Sequence, residues 1–497
     1  MAVRNPWAGM FLDEEETQKY LSIIQNGLSK GKCFREIIII GAGMSGLVAG
    51  SLLKGAGHSV TILEGRDRVG GRVYTVREPF VEGGYLDVGA MRIPGSHLLT
   101  KEYIKKFNLR TNKFVNSTPQ DLLHVNGLTV RRDHYESNPD IFNIPLHPHE
   151  KNKTAQELIE WALKPFIELY QKTPISQRKE LLHRYDSYSM ENFLKCNPFG
   201  RSLSSNAIYK IKVLIGVEGF PEYSFVNIIR DIIFPIFTNS NDFVEIEGGN
   251  DYLPKAFMPL LSSNIQFRKK VTSIYQQKKM RVQTQDLETG KYQDFTSDLV
   301  IATIPFTVLQ FIEVHPYSSI SFMKRRAIKE IHNVASVKIG LQFRTQFWRN
   351  HDLHQSNLIT DMTSRFTYTP SSTNQDGPGV LLASYSWSDN ALLWDGLPEE
   401  EKINQVLEDL AKIFGMEVYK EYITGMSHSW NRTQFSNGAF TLYKPNQYTD
   451  FSEVIRLPEG NLHFAGEHTS SFHGWIEGAV ESGVRVAMEV QERIINQ

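Results

Sequence analysis

Cysteine is almost missing from this chain. The 497 residues include two, Cys33 and Cys196, too few for a disulfide framework. An excess of either charge is missing too: 54 lysines and arginines face 55 aspartates and glutamates. No charge argument therefore points to nucleic acid or to an anionic membrane as a partner. Long apolar runs are absent, and the isoleucines at residues 37–40 fall far short of the roughly 20 residues that span a bilayer. The first residues, MAVRNPWAGMFLDEEETQKYLS, carry no charged segment followed by an apolar one. No signal peptide is read there, and the expectation is a cytoplasmic protein. Asn-x-Ser/Thr triplets at Asn116, Asn152 and Asn431 gain no weight without an export signal. Repeats, low-complexity tracts and long Gly/Ser linkers are also lacking, and the length suggests roughly three domains.

What is present is patterned. Residues 12–29 read as a helix. From Glu36 to about Asp67 the order is strand, glycine turn, helix, strand. The isoleucine run does not alternate with polar residues, as expected of a strand covered on both faces. Gly41, Gly43 and Gly46 then form G-x-G-x-x-G. The first glycine allows a tight turn, the second lets a pyrophosphate approach the backbone, and the third lets helix pack on strand. Glu64 ends the second strand, 18 residues beyond Gly46, where an acid takes ribose hydroxyls and disfavours a 2′-phosphate. A lone glycine motif is weak; the flanking strand, helix and acid make this one a dinucleotide site.

Further along, residues 154–231 have helical periodicity, with Leu158, Trp161, Ala162, Phe166 and Tyr170 on one face. Residues 265–285, 290–303, 335–345 and 378–387 read as strands. The last 40 residues return to a short strand, LHFAG, a glycine-rich turn and a final helix. A front strand–helix–strand and a terminal strand–helix imply one nucleotide-binding unit assembled from distant segments.

VGAMRIPG, residues 88–95, places Arg92 among apolar and glycine neighbours with no carboxylate nearby. An unpaired charge is rarely buried. Either Arg92 points into water, or something outside the segment supplies the negative charge.

The strings ILEGRDRVGGRVYT and NLHFAGEHTSSFHGWIEGAVESG resemble the two flavin-contacting segments of the flavin amine oxidases. Gly89-Ala90-Met91-Arg92-Ile93-Pro94 and the GWI of residues 474–476 are most similar to L-amino-acid oxidases. The resemblance implies an α/β multidomain fold: a Rossmann-like FAD-binding domain (35–72, 243–325 and 426–497), an inserted substrate-binding β-sheet domain (5–30, 73–130 and 326–425) and a helical domain (131–242). It implies FAD contacts at Gly41, Gly43, Met44, Ser45, Gly46, Glu64, Gly65, Arg66, Gly71, Arg72, Gly89, Ala90, Met91, Arg92, Val271, Trp430, Glu467, Gly474, Trp475, Ile476 and Ala479. Ala439 stands where monoamine oxidases carry the cysteine that bonds to FAD, and neither cysteine here matches an attachment site. The FAD is then bound without a covalent link. The segment SNGAFTLYKP, with Trp430 before it, looks like the strand that packs on the flavin.

By the same resemblance Arg92 and Tyr368 clamp the substrate α-carboxylate, and the backbone at Gly474 and Trp475 receives the α-amine. Lys338 holds a water near flavin N5, and Ala439 leaves room for a large side chain. Arg230 stands where snake-venom members have a histidine, and is expected to gate the pocket or bind acidic side chains. The implied reaction is oxidation of an L-amino acid by hydride transfer from Cα to flavin N5, yielding a 2-oxo acid, ammonia and, through O2, hydrogen peroxide. Two other reactions of this scaffold stay open: an amino-acid 2-monooxygenase, which forms an amide, and an amine or polyamine oxidase, which has no use for Arg92. No metal is expected. A homo-oligomer, dimer or higher, is expected because soluble enzymes commonly form one.

Overall fold

The isoleucine run becomes the central strand, Glu36–Ile40, of a five-stranded parallel sheet. The structure is a computed structural model that describes residues 13–31, 33–238, 242–351, 353, 356–370 and 377–495. The strand order is Ile265–Gln266, Ser59–Leu63, Glu36–Ile40, Leu299–Ala302 and Leu462–Phe464, every pair parallel. Successive side chains on a strand point to opposite faces. Ile37 and Ile39 accordingly enter one apolar core and Ile38 and Ile40 another. The helices Met44–Gly55 and Ile476–Ile495 cover the first face. Segments far apart in the chain thus complete one sheet.

A second sheet has seven strands, ordered Tyr422–Ser429, Ser336–Phe343, Gly379–Trp387, Phe366–Tyr368, Asn357–Thr360, Leu122–Val125 and Leu128–Arg131. Strand Ser336–Phe343 is buried along its whole length, and its register sets Lys338 opposite Tyr385. The helices Ala155–Lys172, Ile175–Tyr185, Met190–Lys195 and Ser205–Ile215 build a third core. Leu158, Ala162, Phe166 and Tyr170 are buried in it as their spacing requires, with Trp161 packed at its edge. The first helix runs Glu14–Asn26, capped by the Asp13 carboxylate.

Two expectations need adjusting. SNGAFTLYKP is not a continuous strand: only Phe440–Thr441 pairs, with Asn333–Val334. Left-handed backbone at Phe435, Asn437 and Gly438 (φ 62°, 47° and 129°) turns the chain just before it. The expected stretch at residues 5–12 lies outside the described residues. Among the described residues no helix is long and apolar enough to cross a membrane.

Candidate active site

The carboxyl ends of the parallel strands open onto a cavity of about 590 Å³, lined by Ile40, Leu63, Thr303 and Gly466 among others, as in open α/β sheets generally. The glycine loop forms one wall. Gly41 has φ 105°, a conformation that only glycine adopts freely. A β-carbon on Gly46 would lie 2.0 Å from the Gly41 carbonyl oxygen, so this glycine serves packing and does not itself line the cavity. A β-carbon on Gly43 would meet no atom within 4 Å; the space beside it is open. Gly43 also begins the helix Met44–Gly55 without a side-chain cap, leaving first-turn N–H groups for an anion. A pyrophosphate fits this cradle.

Glu64 is buried beside the loop. Its carboxylate accepts the Ala42 N–H (2.8 Å) and the Arg66 N–H (2.8 Å), which fixes the turn and aims the acid into the cavity. Gly65, Arg66 and Val271 line the same end. Arg66 donates to the Gln434 carbonyl and to Ser436 Oγ, tying the 434–437 loop over that end.

Midway, Glu467 joins the two glycine-rich segments. Its carboxylate accepts from Arg72 Nη1 (2.8 Å), Thr441 Oγ1 (3.0 Å) and the Gly474 N–H (3.0 Å). Burial pushes its pKa up, but the Arg72 charge, helped by His473 and His468, outweighs that and holds it at about 2. Arg72 also donates to the Ala439 carbonyl, so residues 72, 439, 467 and 474 form one hydrogen-bonded wall. Trp475, Ile476 and Ala479 continue it into the last helix.

At the far end stands Arg92. Its Nη1 donates to Asn116 Oδ1, and its guanidinium lies 5.7 Å from the Phe243 ring and 6.0 Å from the Tyr368 ring. It has no carboxylate partner among the described residues. The turn that carries it is braced from below: Lys338 Nζ donates to the carbonyls of Asp87 (3.0 Å) and Gly89 (2.6 Å). Burial drives the Lys338 pKa well below the usual lysine range, with Asp87 opposing and Arg92 adding to the fall. Burial likewise raises Asp87, against hydrogen bonds from Thr75 Oγ1 and the Asn250 N–H. Lys338, Tyr368, Gly89, Ala90, Met91, Trp430 and Ala439 all line this end.

The structure thus gathers the expected residues around one cavity, with two exceptions. Gly46 packs helix on strand instead. Arg230 does not reach the cavity: its guanidinium forms a two-point pair with the adjacent Asp231 (2.9 and 2.8 Å), and Ile232 lines the wall in its place. Substrate gating or binding of acidic side chains by Arg230 therefore has no geometric basis. Sequence reasoning missed Gly216, Ile236, Phe366, Tyr385, Trp387 and Phe440 on the walls. Tyr385 and Trp387 had a signal, two positions apart on one face of a strand. Asn116 had none beyond its glycosylation triplet.

A parallel sheet with a glycine cradle, joined to a large, mostly antiparallel sheet across a shared cavity, defines a dinucleotide-dependent oxidoreductase. The chain belongs to the family of flavin-containing amine oxidoreductases, whose model matches residues 44–491. Its cofactor is therefore a flavin, and its reactants a small molecule and O2. Relatives include the Bacillus subtilis (strain 168) protein YobN, provisionally named an L-amino-acid oxidase, at 43% identity over 95% of this chain and 97% of that one. The L-amino-acid oxidase of Siganus canaliculatus is 33% identical (97% and 90% covered) and that of Echis ocellatus 32% (98% and 95%). Among solved structures, putrescine oxidase bound to putrescine matches with TM-score 0.76 at 18% identity, covering 93% of this chain and 100% of the other. Cyclohexylamine oxidase from Brevibacterium oxydans IH-35A gives 0.73 at 19%, covering 92% and 99%. At those identities the likeness is one of fold.

Proposed function

We propose that the protein binds FAD without a covalent link and oxidatively deaminates L-amino acids to 2-oxo acids, releasing ammonia and hydrogen peroxide. The observation that carries this reading is Arg92, a guanidinium at the cavity end with no carboxylate partner among the described residues. A planar guanidinium grips a carboxylate through two parallel hydrogen bonds, and an amine substrate offers no such group. Relatives named as L-amino-acid oxidases across nearly the whole chain support the same reading.

Each residue has a part. Arg92 holds the α-carboxylate and Tyr368, beside it, adds a phenol donor. The Gly474–Trp475 wall faces the α-amine. Lys338 keeps the Arg92 turn in place through two carbonyls, and its lowered pKa suits it to hold a water and pass a proton. Phe366, Tyr385, Trp387 and Phe440 surround the rest of the space, which favours a large apolar side chain. FAD, when bound, supplies the two-electron acceptor that O2 restores; the chain's contribution is orientation and exclusion of water. No cysteine among the described residues lines the cavity, and Cys33 and Cys196 are exposed, in keeping with a non-covalent cofactor.

Anaerobic mixing with the L-amino acids tests this. The flavin absorbance is expected to bleach with L-amino acids and not with D-isomers or the corresponding decarboxylated amines. Arg92→Ala should raise KM for the amino acid about 100-fold, the scale of a lost charge-assisted pair of hydrogen bonds. Turnover of carboxylate-free amines, indifferent to that change, overturns the reading. An amide with carbon dioxide as product moves the protein to the 2-monooxygenases.

A further inference from the structure

Arg230 sits in a π-helix, Ile228–Ile233; such turns concentrate at functional sites. Its pair with Asp231 is deeply buried, and the Asp231 and His473 side chains are each 1% exposed. The Asp231 carboxylate also accepts from Asn227 Nδ2 and stands 3.4 Å from His473 Nδ1. Burial opposes its ionisation, but the Arg230 charge prevails and keeps its pKa below the usual carboxylate range. The main-chain carbonyl of Asp231 accepts the Trp475 indole N–H at 2.7 Å. One residue therefore grips both sides of the same short stretch: the carboxylate faces His473, the carbonyl holds Trp475, and Gly474 lies between with φ 82°. The next residue, Ile232, lines the cavity together with Gly474 and Trp475. His473 Nε2 is buried without a partner, so the ring is oriented through Nδ1, which faces Asp231 (3.4 Å), Asn227 Nδ2 (3.3 Å) and Arg230 Nη2 (3.5 Å), and by the Tyr443 ring 4.6 Å away.

We propose that Asp231, paired with Arg230, is a positioning residue that braces the Gly474–Trp475 wall and thereby sets which substrate side chains the cavity admits. The inference rests on the reading that this wall faces the substrate. Asp231 does not line the cavity; it acts through Trp475. Arg230 serves the brace and not the ligand.

A double-mutant cycle of Asp231→Asn and Trp475→Phe, measured per bound flavin, tests it. Phenylalanine keeps an aromatic ring but loses the N–H that reaches Asp231. Each single variant is expected to raise KM about tenfold and to broaden side-chain preference, and the double variant to be no worse than the poorer single. Asp231→Asn keeps the carbonyl that accepts the indole N–H but weakens the Arg230 pair that fixes it, and Trp475→Phe removes the donor, so both act on one coupling. Visible circular dichroism of the bound flavin follows the same cycle without any substrate and should shift non-additively. Additive effects, or KM and dichroism unchanged in Asp231→Asn, overturn the brace. A merely structural Asp231 would lower flavin content and melting temperature while leaving KM per bound flavin alone. Should Asp231→Asn fail to fold, Arg230→Lys keeps the charge but loses the planar grip; it must shift both readouts in the same direction, and no shift overturns the proposal. If the unmodified protein oxidises no L-amino acid, the functional reading falls, while the dichroism cycle still decides the brace.

Discussion

Glu481 shows what burial does to a single side chain. It lies on the last helix, 6% exposed, and accepts the Ser471 N–H at 3.1 Å. Burial pushes its pKa from 4.5 up to about 7, with the Ser471 hydrogen bond opposing. Between those values the folded chain holds the proton more tightly than the unfolded chain. Its stabilising effect is then complete below about pH 4.5 and disappears as pH rises through about 7. Glu481→Gln, neutral throughout and still able to accept from Ser471, should be more stable than the parent above pH 7, by up to about 3 kcal/mol. That gain should shrink to nothing near pH 4.5 in a series of thermal melts; a gain independent of pH refutes the account. The two arginines teach a related lesson. Arg92 was legible as a charge among apolar neighbours, whereas Arg230 drew notice only through the family resemblance. Asp231 follows Arg230 directly, yet adjacent side chains on a regular helix diverge, so the pair was not legible. The π-helical turn brings them together.

At the scale of elements, the glycine loop was the most legible part, because each glycine answers a local steric demand. Gly43 and Gly46 should separate cleanly on mutation. Gly43→Ala puts a methyl into open cavity at an ordinary φ of −72°. Its flavin-to-protein absorbance ratio should fall, while the flavin-free forms of variant and parent melt alike. Gly46→Ala drives a β-carbon to 2.0 Å from a backbone oxygen, and overpacking of this kind typically destabilises by about 1–3 kcal/mol. Its melting temperature should fall with or without flavin. The parallel strands were readable because a strand covered on both faces has no alternation to lose. SNGAFTLYKP, likened to a strand by the family resemblance, pairs only at Phe440–Thr441, because left-handed positions at Phe435 and Asn437 break the extension. Arg66 ties the flanking Gln434 carbonyl and Ser436 Oγ, while the Asn437 and Gly438 N–H groups close local turns onto the Thr433 and Trp430 carbonyls.

For the whole molecule, the cavity draws its walls from Ile40 through Ala479, so a bound flavin ties together segments that the chain connects only at a distance. Removing the flavin should lower the melting temperature. Adding FAD back should raise it steadily with concentration, the added stability reaching about 4 kcal/mol at roughly 1,000 times Kd. A melting temperature indifferent to FAD would mean that the cofactor is not held across these segments. The sequence by itself determined the dinucleotide cradle, the acid at position 64 and the near-neutral surface, because those follow from backbone geometry over a few residues and from composition. Only the tertiary structure decided which buried charges have partners. It paired Arg230 with Asp231, left Arg92 facing the cavity with Asn116 beside it, and closed the space with Phe366, Tyr385 and Trp387. Those choices depend on strand register and on packing between segments hundreds of residues apart, which no local pattern encodes.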